Sequence, residues 1–306
     1  MTQRSTMGGR NRGFTLIELM ISTAILLVIG GAAFSLLIQG QKSFTSTSSR
    51  ASMHGGVRSA AELMAQEISQ AGVVNLPATT LSAAITAGAG RTASLSPTSS
   101  SNSLFVGEKV MVDGATGVAP ELVTITAVGS GTFTATFANA HPSGATVNAH
   151  GAFLNGIWST SSGSTLILVG DILGDGTLVQ IQYDCDLTSG TLKRSVTPIT
   201  PTASAINTSD TLVDNVVANP GGTSCFQYQT DSSSTYKIGV GLTITVQTKY
   251  VDPLTRTQGA TVTYPTMTKT FLNMSARNVI SAIDMSQSTT NMSNQVFTPP
   301  TSVPLH

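Results

Sequence analysis

The feature that most constrains this sequence is an apolar run near its N-terminus, from Phe14 to about Ile38. As a helix rising ~1.5 Å per residue, a run of about 25 residues spans the ~30 Å hydrocarbon core of a bilayer. One carboxylate, Glu18, lies near the start of this run. A charge near the centre of a bilayer costs about 2.5–3.5 kcal/mol, and less near an interface. The run therefore predicts a membrane-spanning helix, and Glu18 is a charge that this helix by itself does not explain.

The residues before the run set its predicted orientation. Residues 1–13 contain Arg4, Arg10 and Arg12 and no acidic residue. Because a basic flank stays on the cytoplasmic side, the rest of the chain is expected on the outer side. A conventional signal peptide is one interpretation of this segment, and Gly30–Ser35 ("GGAAFS") offers a small-residue cleavage site, but such signals have an apolar core of only ~7–15 residues. A plain membrane anchor is a second interpretation, and it leaves Glu18 unexplained.

A third interpretation comes from the sequence at the boundary of the run. The stretch Arg12–Ser22 ("RGFTLIELMIS") resembles the processing signal of type IV pilins and of type II secretion pseudopilins. That signal has Gly, then Phe, then Thr-Leu-(Ile/Val)-Glu, and the match is unbroken from Gly13 to Leu19. The resemblance implies that a prepilin peptidase cleaves between Gly13 and Phe14 and that Phe14 is then N-methylated.

The same resemblance supplies a purpose for Glu18. In the family, the new α-amino group of an incoming subunit pairs with the carboxylate that Glu18 matches on a neighbour. A buried ion pair costs much less than a lone buried charge, so the pairing favours assembly. One family-specific feature is missing, because many major pilins carry a proline midway along the run and the first proline here is Pro77. Local melting would have to use Gly30–Gly31 or Ser22–Thr23.

Beyond the apolar run, the helical pattern continues as an amphipathic stripe. Apolar residues recur at spacings of three and four, which predicts one buried helix face; they are Met53, Val57, Ala61, Met64, Ile68 and Ala71. Gly72 is the expected stop. The stripe either packs on the protein's own sheet or docks a partner helix, and Gly55–Gly56 allows either a break or a bend.

The remainder of the chain alternates with the period of β-strands. The predicted fold class is α+β, with a long N-terminal helix packed on a β-rich antiparallel head. Gly129–Gly131 reads as a hairpin turn inside Glu121–Phe137. The predicted organisation is a leader (1–13), the helix (14–72), a linker (73–103), a possible inserted β-module (104–150), the head (151–283) and a disordered tail (284–306). The strands of 104–150 could equally belong to one enlarged sheet.

Composition narrows the class of function. Charged residues make up only 10% of the chain and the net charge is zero, which gives no electrostatic case for broad nucleic-acid binding. Cys185 and Cys225 form an even pair, and in an exported protein they are expected to form a disulfide.

Candidate chemical sites are few. The sequence contains no catalytic motif of the serine-hydrolase, zinc-protease or phosphate-loop type, so we expect no enzyme, no catalytic residue and no cofactor. Asp171 and Asp175 in "GDILGDGT" could form a calcium loop, but their spacing is not that of an EF-hand and favours a tight turn. No metal site is predicted. Trp158, the single tryptophan, belongs either to the core or to an exposed ligand site.

A softer resemblance extends the family assignment to the second half of the chain. The helix ending "AAELMAQEISQAG", followed by "LVDNVVANPGGTSCFQYQT" and "IGVGLTITVQTKY", is similar to PilW-type minor pilins, and J-type minor pseudopilins of type II secretion share this outline. It implies a minor pilin of a type IV pilus, active in adhesion, twitching motility or DNA uptake. The alternatives are a minor pseudopilin and a filament-tip adhesin.

The implied location and partners follow from that resemblance. The protein would be a single-pass inner-membrane protein with its C-terminal domain in the periplasm, and would then enter a pilus or pseudopilus filament. Its partners would be the prepilin peptidase/methyltransferase, other major and minor pilins, the inner-membrane assembly platform and, before assembly, the lipid bilayer. No surface ligand or DNA is assigned.

Overall fold

The computed structural model describes residues 13–114, 119–199, 208–249, 264–287 and 294–300. It has the predicted α+β architecture, in which one long helix, α1 (Leu16–Gln70), precedes a β-rich antiparallel region. A second helix, α2 (Arg277–Ser286), follows the last long strand, and short 3-10 helices lie at Thr98–Ser103 and Pro220–Gly222.

Seventeen strands are found among the described residues. In chain order they are β1 (Val73–Asn75), β2 (Thr79–Leu81), β3 (Gly88–Ser96), β4 (Lys109–Val112), β5 (Glu121–Gly129), β6 (Thr132–Phe137), β7 (Thr146–Asn148), β8 (His150–Phe153), β9 (Thr165–Gly170), β10 (Val179–Asp186), β11 (Thr191–Pro198), β12 (Thr208–Asp214), β13 (Val216–Val217), β14 (Phe226–Thr230), β15 (Lys237–Gln247), β16 (Thr266–Ser275) and β17 (Val296–Phe297).

Helix α1 contributes to two compact units, with the division between Ala51 and Ser52. In the first unit the apolar side chains of the helix are exposed, as Phe14, Leu27 and Phe34 illustrate. This part of α1 is long and apolar enough to cross a membrane by length and composition. No break occurs at Gly55–Gly56, since α1 runs through both glycines.

In the second unit, the amphipathic stripe of α1 packs into the head. Val57, Ala61, Met64 and Ile68 are buried in one core cluster with strand residues such as Leu242. The prediction that this stripe packs on the protein's own sheet is therefore confirmed. The helix ends at Gln70, and Gly72 (φ 88°) takes the left-handed conformation that favours glycine at a helix stop.

Two four-stranded sheets form most of the head. One has the order β12-β11-β10-β9, and in the other β15 pairs with β13 and β14 as well as with β16. All these pairings are antiparallel. Their facing apolar side chains, together with the stripe of α1, make the largest core cluster, which includes Tyr183, Ile181 and Val240.

A small three-stranded sheet, β1-β8-β17, joins distant parts of the chain. Strand β17 runs parallel to β8, and its Phe297 lies against Phe105 (ring centroids 5.6 Å apart), which in turn lies against Phe153 (5.3 Å). Gly151 is required here, because a Cβ at this position would lie 2.2 Å from the Phe297 ring. This cluster connects the head to the chain that leads into β4.

Residues 79–148 form a closed six-stranded barrel, with the order β2-β3-β6-β5-β4-β7 and β7 paired back to β2. The predicted hairpin is present, since Gly129 pairs with Thr132 between β5 and β6. The interior is filled by alternating apolar side chains, including Val110, Phe133 and Phe137. A closed barrel removes the exposed edges that an open sheet would have.

The barrel overturns two predicted boundaries. The prediction of a linker over 73–103 is wrong, because this stretch contains β1, β2, β3 and a 3-10 helix. Its small polar residues suit strands with one exposed face, and Ala93 and Leu95 supply the buried face of β3. The module predicted at 104–150 accordingly begins earlier, at β2, and it is a separate barrel rather than part of an enlarged sheet.

The prediction of a disordered tail from 284 to 306 is wrong in part. Helix α2 continues to Ser286. Strand β17 pairs with β8, and this pairing is stabilised because the Phe297 ring packs against the Phe105 ring. Residues 288–293 and 301–306 lie outside the described residues, as do residues 1–12 of the predicted leader. Strand β16 ends at Ser275, and the helix α2 starts two residues later.

Candidate functional site

The predicted processing site lies at the start of α1. Gly13 and Phe14 precede the helix and are exposed, with 83% of the Phe14 surface accessible. A Cβ at Gly13 would meet nothing within 4 Å. The bond between these residues is therefore accessible to another protein.

Glu18 takes part in a local hydrogen-bonded motif at the helix start. Its Oε2 accepts from the Thr15 backbone N–H (3.0 Å) and from the Thr15 hydroxyl (2.9 Å). In return, the Glu18 N–H donates to the Thr15 hydroxyl (3.3 Å). This reciprocal arrangement is a capping box, in which Thr15 is the N-cap and Glu18 the third helical residue. Two backbone N–H groups that the helix leaves without partners are thereby satisfied.

The cap leaves part of the carboxylate available. Both hydrogen bonds from Thr15 end on Oε2, and among the described residues Oε1 receives none. The Glu18 side chain is exposed, and negative charge is favoured at a helix N-terminus. One subunit can thus keep its own cap and still present a carboxylate oxygen to a donor on another molecule.

The residues at which local melting is expected, Ser22–Thr23 and Gly30–Gly31, lie within a continuous helix. Thr23 donates its hydroxyl to the backbone oxygens of Leu19 and Met20 (3.0 Å each), a local bond that competes slightly with regular helix geometry. Gly30 and Gly31 are helical and open on all sides, with nothing within 4 Å of a Cβ at either position.

Cys185 and Cys225 are joined by a disulfide bond, as expected from the sequence. Cys185 lies in β10 and Cys225 immediately precedes β14, so the bond ties the two head sheets together. Both residues are buried in the main core cluster.

The aspartates of "GDILGDGT" form a turn. Asp171 is buried, and its Oδ1 accepts from the Gly176 N–H (3.1 Å). Burial raises the pKa of this carboxyl, which hydrogen bonds from Gly176 and neighbouring backbone partly offset. Among the described residues there is no cluster of three acidic, histidine or cysteine side chains that could hold a metal. The Ser103 hydroxyl donates to the Gly176 carbonyl, so this turn makes one of the contacts between the barrel and the head.

Trp158 is partly buried and packs against the cluster that contains Phe105 and Phe297. Of the two interpretations of Trp158, packing in the core therefore applies, and not exposure as a ligand-binding side chain.

A buried ion pair, missed from the sequence, fastens α1 to the head. Glu67 is 5% exposed, and Arg194 of β11 donates Nε to both of its carboxylate oxygens (3.0 and 3.1 Å) and a terminal nitrogen to Oε1. The Tyr183 hydroxyl donates to Oε2. Burial, with the Glu67 charge second, raises the pKa of Tyr183. Tyr183 and Arg194 face each other across β10 and β11, but Glu67 lies more than 100 residues earlier in the chain, so no local sequence pattern predicts the contact.

The barrel contains two buried titratable groups of its own. His141 contacts the Asp113 carbonyl oxygen through Nδ1 (2.7 Å) and Glu121 Oε2 through Nε2 (3.1 Å). Glu108 is fully buried, and burial raises its pKa to about 8, against a single hydrogen bond from the Phe105 N–H. Its Oε1 has no hydrogen-bond partner among the described residues.

Comparison with known proteins agrees with the N-terminal observations. The model of the prokaryotic N-terminal methylation motif matches residues 8–34, which cover the cleavage position, the capping box and most of the apolar run. No curated protein and no solved structure matches the chain.

Proposed function

Because the chain is a type IV pilin-like protein, anchored by an N-terminal apolar helix, we propose that it is a non-catalytic minor pilin that helps to initiate or cap a type IV pilus. The methylation motif implies processing by a prepilin peptidase and assembly with other pilins. The periplasmic location of the head and its passage into a filament are part of the proposal.

The observation that carries the proposal is the arrangement at residues 13–18. The cleavable Gly13–Phe14 bond is accessible, and Glu18 lies one helical turn beyond it with Oε1 open among the described residues. Cleavage creates an amine at Phe14, which would pair with Glu18 of a neighbouring subunit inside the membrane. Pairing removes the cost of an isolated charge in lipid, so it favours assembly over the free subunit.

The size of the head supports a minor rather than a major role. A closed barrel is inserted between β1 and β8, beside the two sheets of the head. A head enlarged in this way would crowd a regularly packed shaft, and it is easier to place near an end. Glu18 argues against the extreme tip position, since the family's tip subunit type lacks this glutamate.

Two alternatives have support of their own. The same N-terminal arrangement suits a minor pseudopilin of a type II secretion system. The barrel, with its own closed ring and core, suits a tip adhesin. Replacing residues 79–148 with a short glycine-serine link tests the adhesin: surface adhesion would be lost while filament formation persists, and loss of filaments would favour initiation.

Processing is the first test of the main proposal. Mass spectrometry of the protein from intact cells should find an N-methylated Phe14 at the N-terminus. Gly13→Ala should leave the leader attached. A mature N-terminus near Ala33 would instead establish ordinary signal-peptide cleavage.

The capping box allows charge pairing to be separated from helix capping. Glu18→Gln keeps a side chain able to complete a capping box but removes the charge. Thr15→Ala keeps the charge and removes the cap, at about 1 kcal/mol of local helix stability. Glu62→Gln is the matched control, because Glu62 is exposed on the same helix and pairs only with Arg58 among the described residues.

The readout is the amount of each variant in sheared filaments relative to its amount in membranes. We expect Glu18→Gln to be cleaved normally and then excluded from filaments, whereas Thr15→Ala and Glu62→Gln enter them. Normal incorporation of Glu18→Gln would contradict charge pairing as the driving interaction.

A further inference from the structure

A cleft lies on the head where the chain passes from one sheet to the other. Its volume is about 550 Å³, within the range of small-molecule sites. It is lined by the β10–β11 turn, by the β12–β13 connection and by the end of β15; the lining residues used below are Leu187, Thr188, Asp214, Asn215, Val216 and Gln247.

The walls of the cleft are tied to one another. The Val216 N–H donates to the Gly190 carbonyl (2.9 Å), which joins the β10–β11 turn to β13. The Gln247 N–H donates to the Asn215 carbonyl (2.9 Å), which joins β15 to the β12–β13 connection. Because three separate chain segments are held by backbone hydrogen bonds, the cleft is preformed, and binding need not order it.

The turn that forms one wall is itself braced. The Asp186 carboxylate accepts from the Thr188 N–H (2.8 Å), and hydrogen bonds from Ser189 and Thr188 lower the pKa of this carboxyl. The Ser189 and Thr191 hydroxyls are 2.7 Å apart. Cys185, at the base of the same turn, is fixed to the second sheet by its disulfide.

The opposite wall contains a backbone conformation that few residues adopt. Asn215 has φ 57°, in the left-handed region, at the point where the chain leaves β12 and enters β13. Asparagine tolerates this region better than most side chains. Asp214, Asn215 and Val216, which surround this conformation, all line the cleft.

The lining has the chemistry of a site for a neutral, hydroxyl-rich molecule. Asp214 supplies acceptors, the amides of Asn215 and Gln247 supply donors and acceptors, and Thr188 contributes a hydroxyl. Leu187 (50% exposed) offers an apolar surface beside them. Among the described residues, the lining has one carboxylate, from Asp214, and one ammonium, from Lys249, so their charges balance and do not favour an ionic ligand.

We propose that this cleft binds a neutral saccharide. Asp214 accepts hydrogen bonds from adjacent sugar hydroxyls, the Gln247 amide donates to a ring or glycosidic oxygen, and Leu187 covers the C–H face of the ring. This site lies outside the barrel and independent of the N-terminal helix, so it stands whether or not the chain enters a filament.

The test uses the full-length protein in phosphocholine micelles, because detergents with sugar headgroups would compete for the site. The probes are maltose, lactose and N,N′-diacetylchitobiose, each at about 20 mM, which is above the millimolar dissociation constants of weak complexes. We expect at least one probe to shift the amide resonances of Thr188 to Thr191 and of Asn215 to Val217, and to leave those of the barrel unchanged.

Variants then assign the contacts. Asp214→Ala should weaken binding about tenfold, since a bound sugar hydroxyl would lose its acceptor. Asp210→Ala is the matched control, because Asp210 is exposed on the same strand β12 and does not line the cleft. Gln247→Ala should weaken binding as Asp214→Ala does, and Leu187→Ala should weaken it less.

The folded state of each variant is checked by the oxidised Cys185–Cys225 pair and by unchanged barrel resonances. The proposal is overturned if no probe shifts the cleft amides, or if Asp214→Ala and Asp210→Ala bind equally well. Neither outcome bears on processing at Phe14, so a failure here leaves the proposed filament role intact.

Discussion

The barrel and the head hold their strands together in different ways. The barrel closes a ring of six strands around an apolar interior, so each strand has two partners and no edge is left. The head instead holds open sheets and a helix together with links between distant residues, namely the Cys185–Cys225 disulfide and the contact of Glu67 with Arg194. Backbone pairing secures the first region, and side-chain crosslinks secure the second.

This difference implies that the two regions respond to different perturbations. A crosslink can be removed by one substitution, whereas a closed ring has no single bond of that kind. Changes at Glu67 or at the cysteines should therefore act on the head, and changes inside the ring should act on the barrel.

The largest effect is expected from Glu67→Ala. It leaves Arg194 partly buried without its carboxylate and Tyr183 without its acceptor, so the head should lose about 3–5 kcal/mol of unfolding free energy. Peptide-resolved hydrogen exchange should report faster opening of β10 and β11 and unchanged protection of β5 and β6.

The control for Glu67→Ala is Arg58→Ala on the same helix. Arg58 forms an exposed pair with Glu62 (2.7 Å, side chains 73% and 64% accessible). Exposed ion pairs on a helix contribute little to stability, so this variant should unfold at nearly the same denaturant concentration as the parent protein. Equal effects of the two variants, or loss of barrel protection in Glu67→Ala, would break the contrast between the regions.

Removal of the disulfide comes next. In Cys185→Ser with Cys225→Ser, the unfolded chain regains the freedom of a loop of 40 residues, which corresponds to about 2–4 kcal/mol. Denaturant unfolding followed by the fluorescence of Trp158 should move to lower denaturant, while barrel methyl resonances keep their midpoint. A joint shift of both midpoints would show that the regions unfold as one.

At about pH 5 the smallest effect is that of Glu108 in the barrel, and it grows as the pH rises. Its folded pKa of about 8 exceeds the ordinary value of ~4.3, so the folded barrel retains a proton that the unfolded chain releases. Its contribution to stability is therefore full below about pH 4 and falls by roughly 1.4 kcal/mol per pH unit until about pH 8. Glu108→Gln should remove this slope.

The measurement is urea unfolding of the barrel, read from its methyl resonances at about pH 5, 6 and 7. The barrel also contains His141, Glu121 and Asp113, so the quantity to compare is the difference between the variant and the parent protein at each pH. A difference that is constant with pH would remove Glu108 as a titrating group.

Local patterns predicted the parts of the molecule that local interactions determine. The apolar run and the stripe from Val57 to Ile68 follow helical periodicity, and the β5–β6 hairpin follows alternation around Gly129–Gly131. The capping box was readable too, since Thr15 and Glu18 have its spacing, although the resemblance drew attention only to the charge.

The features that the sequence did not reveal depend on distant residues. The linker predicted over 73–103 omits strand β3, because the first half of this strand is exposed and its partner, β6, lies far along the chain. Arg194 lies 127 residues from Glu67. The cleft is built from three segments that are too far apart in the sequence to be read as one local pattern. Nothing in a local pattern ranks such pairings above their alternatives.

The two ends of the barrel have a consequence for how the protein can be altered. The chain enters and leaves side by side, since the Leu76 N–H donates to the Ala149 carbonyl (3.2 Å) and β2 pairs with β7. To the head, the whole barrel is thus equivalent to one loop, and each doubling of loop length costs only about 0.6 kcal/mol in closure entropy. The position is therefore an insertion site. A different folded domain whose termini lie side by side can replace the barrel there, while the helix and the sheets of the head remain as they are.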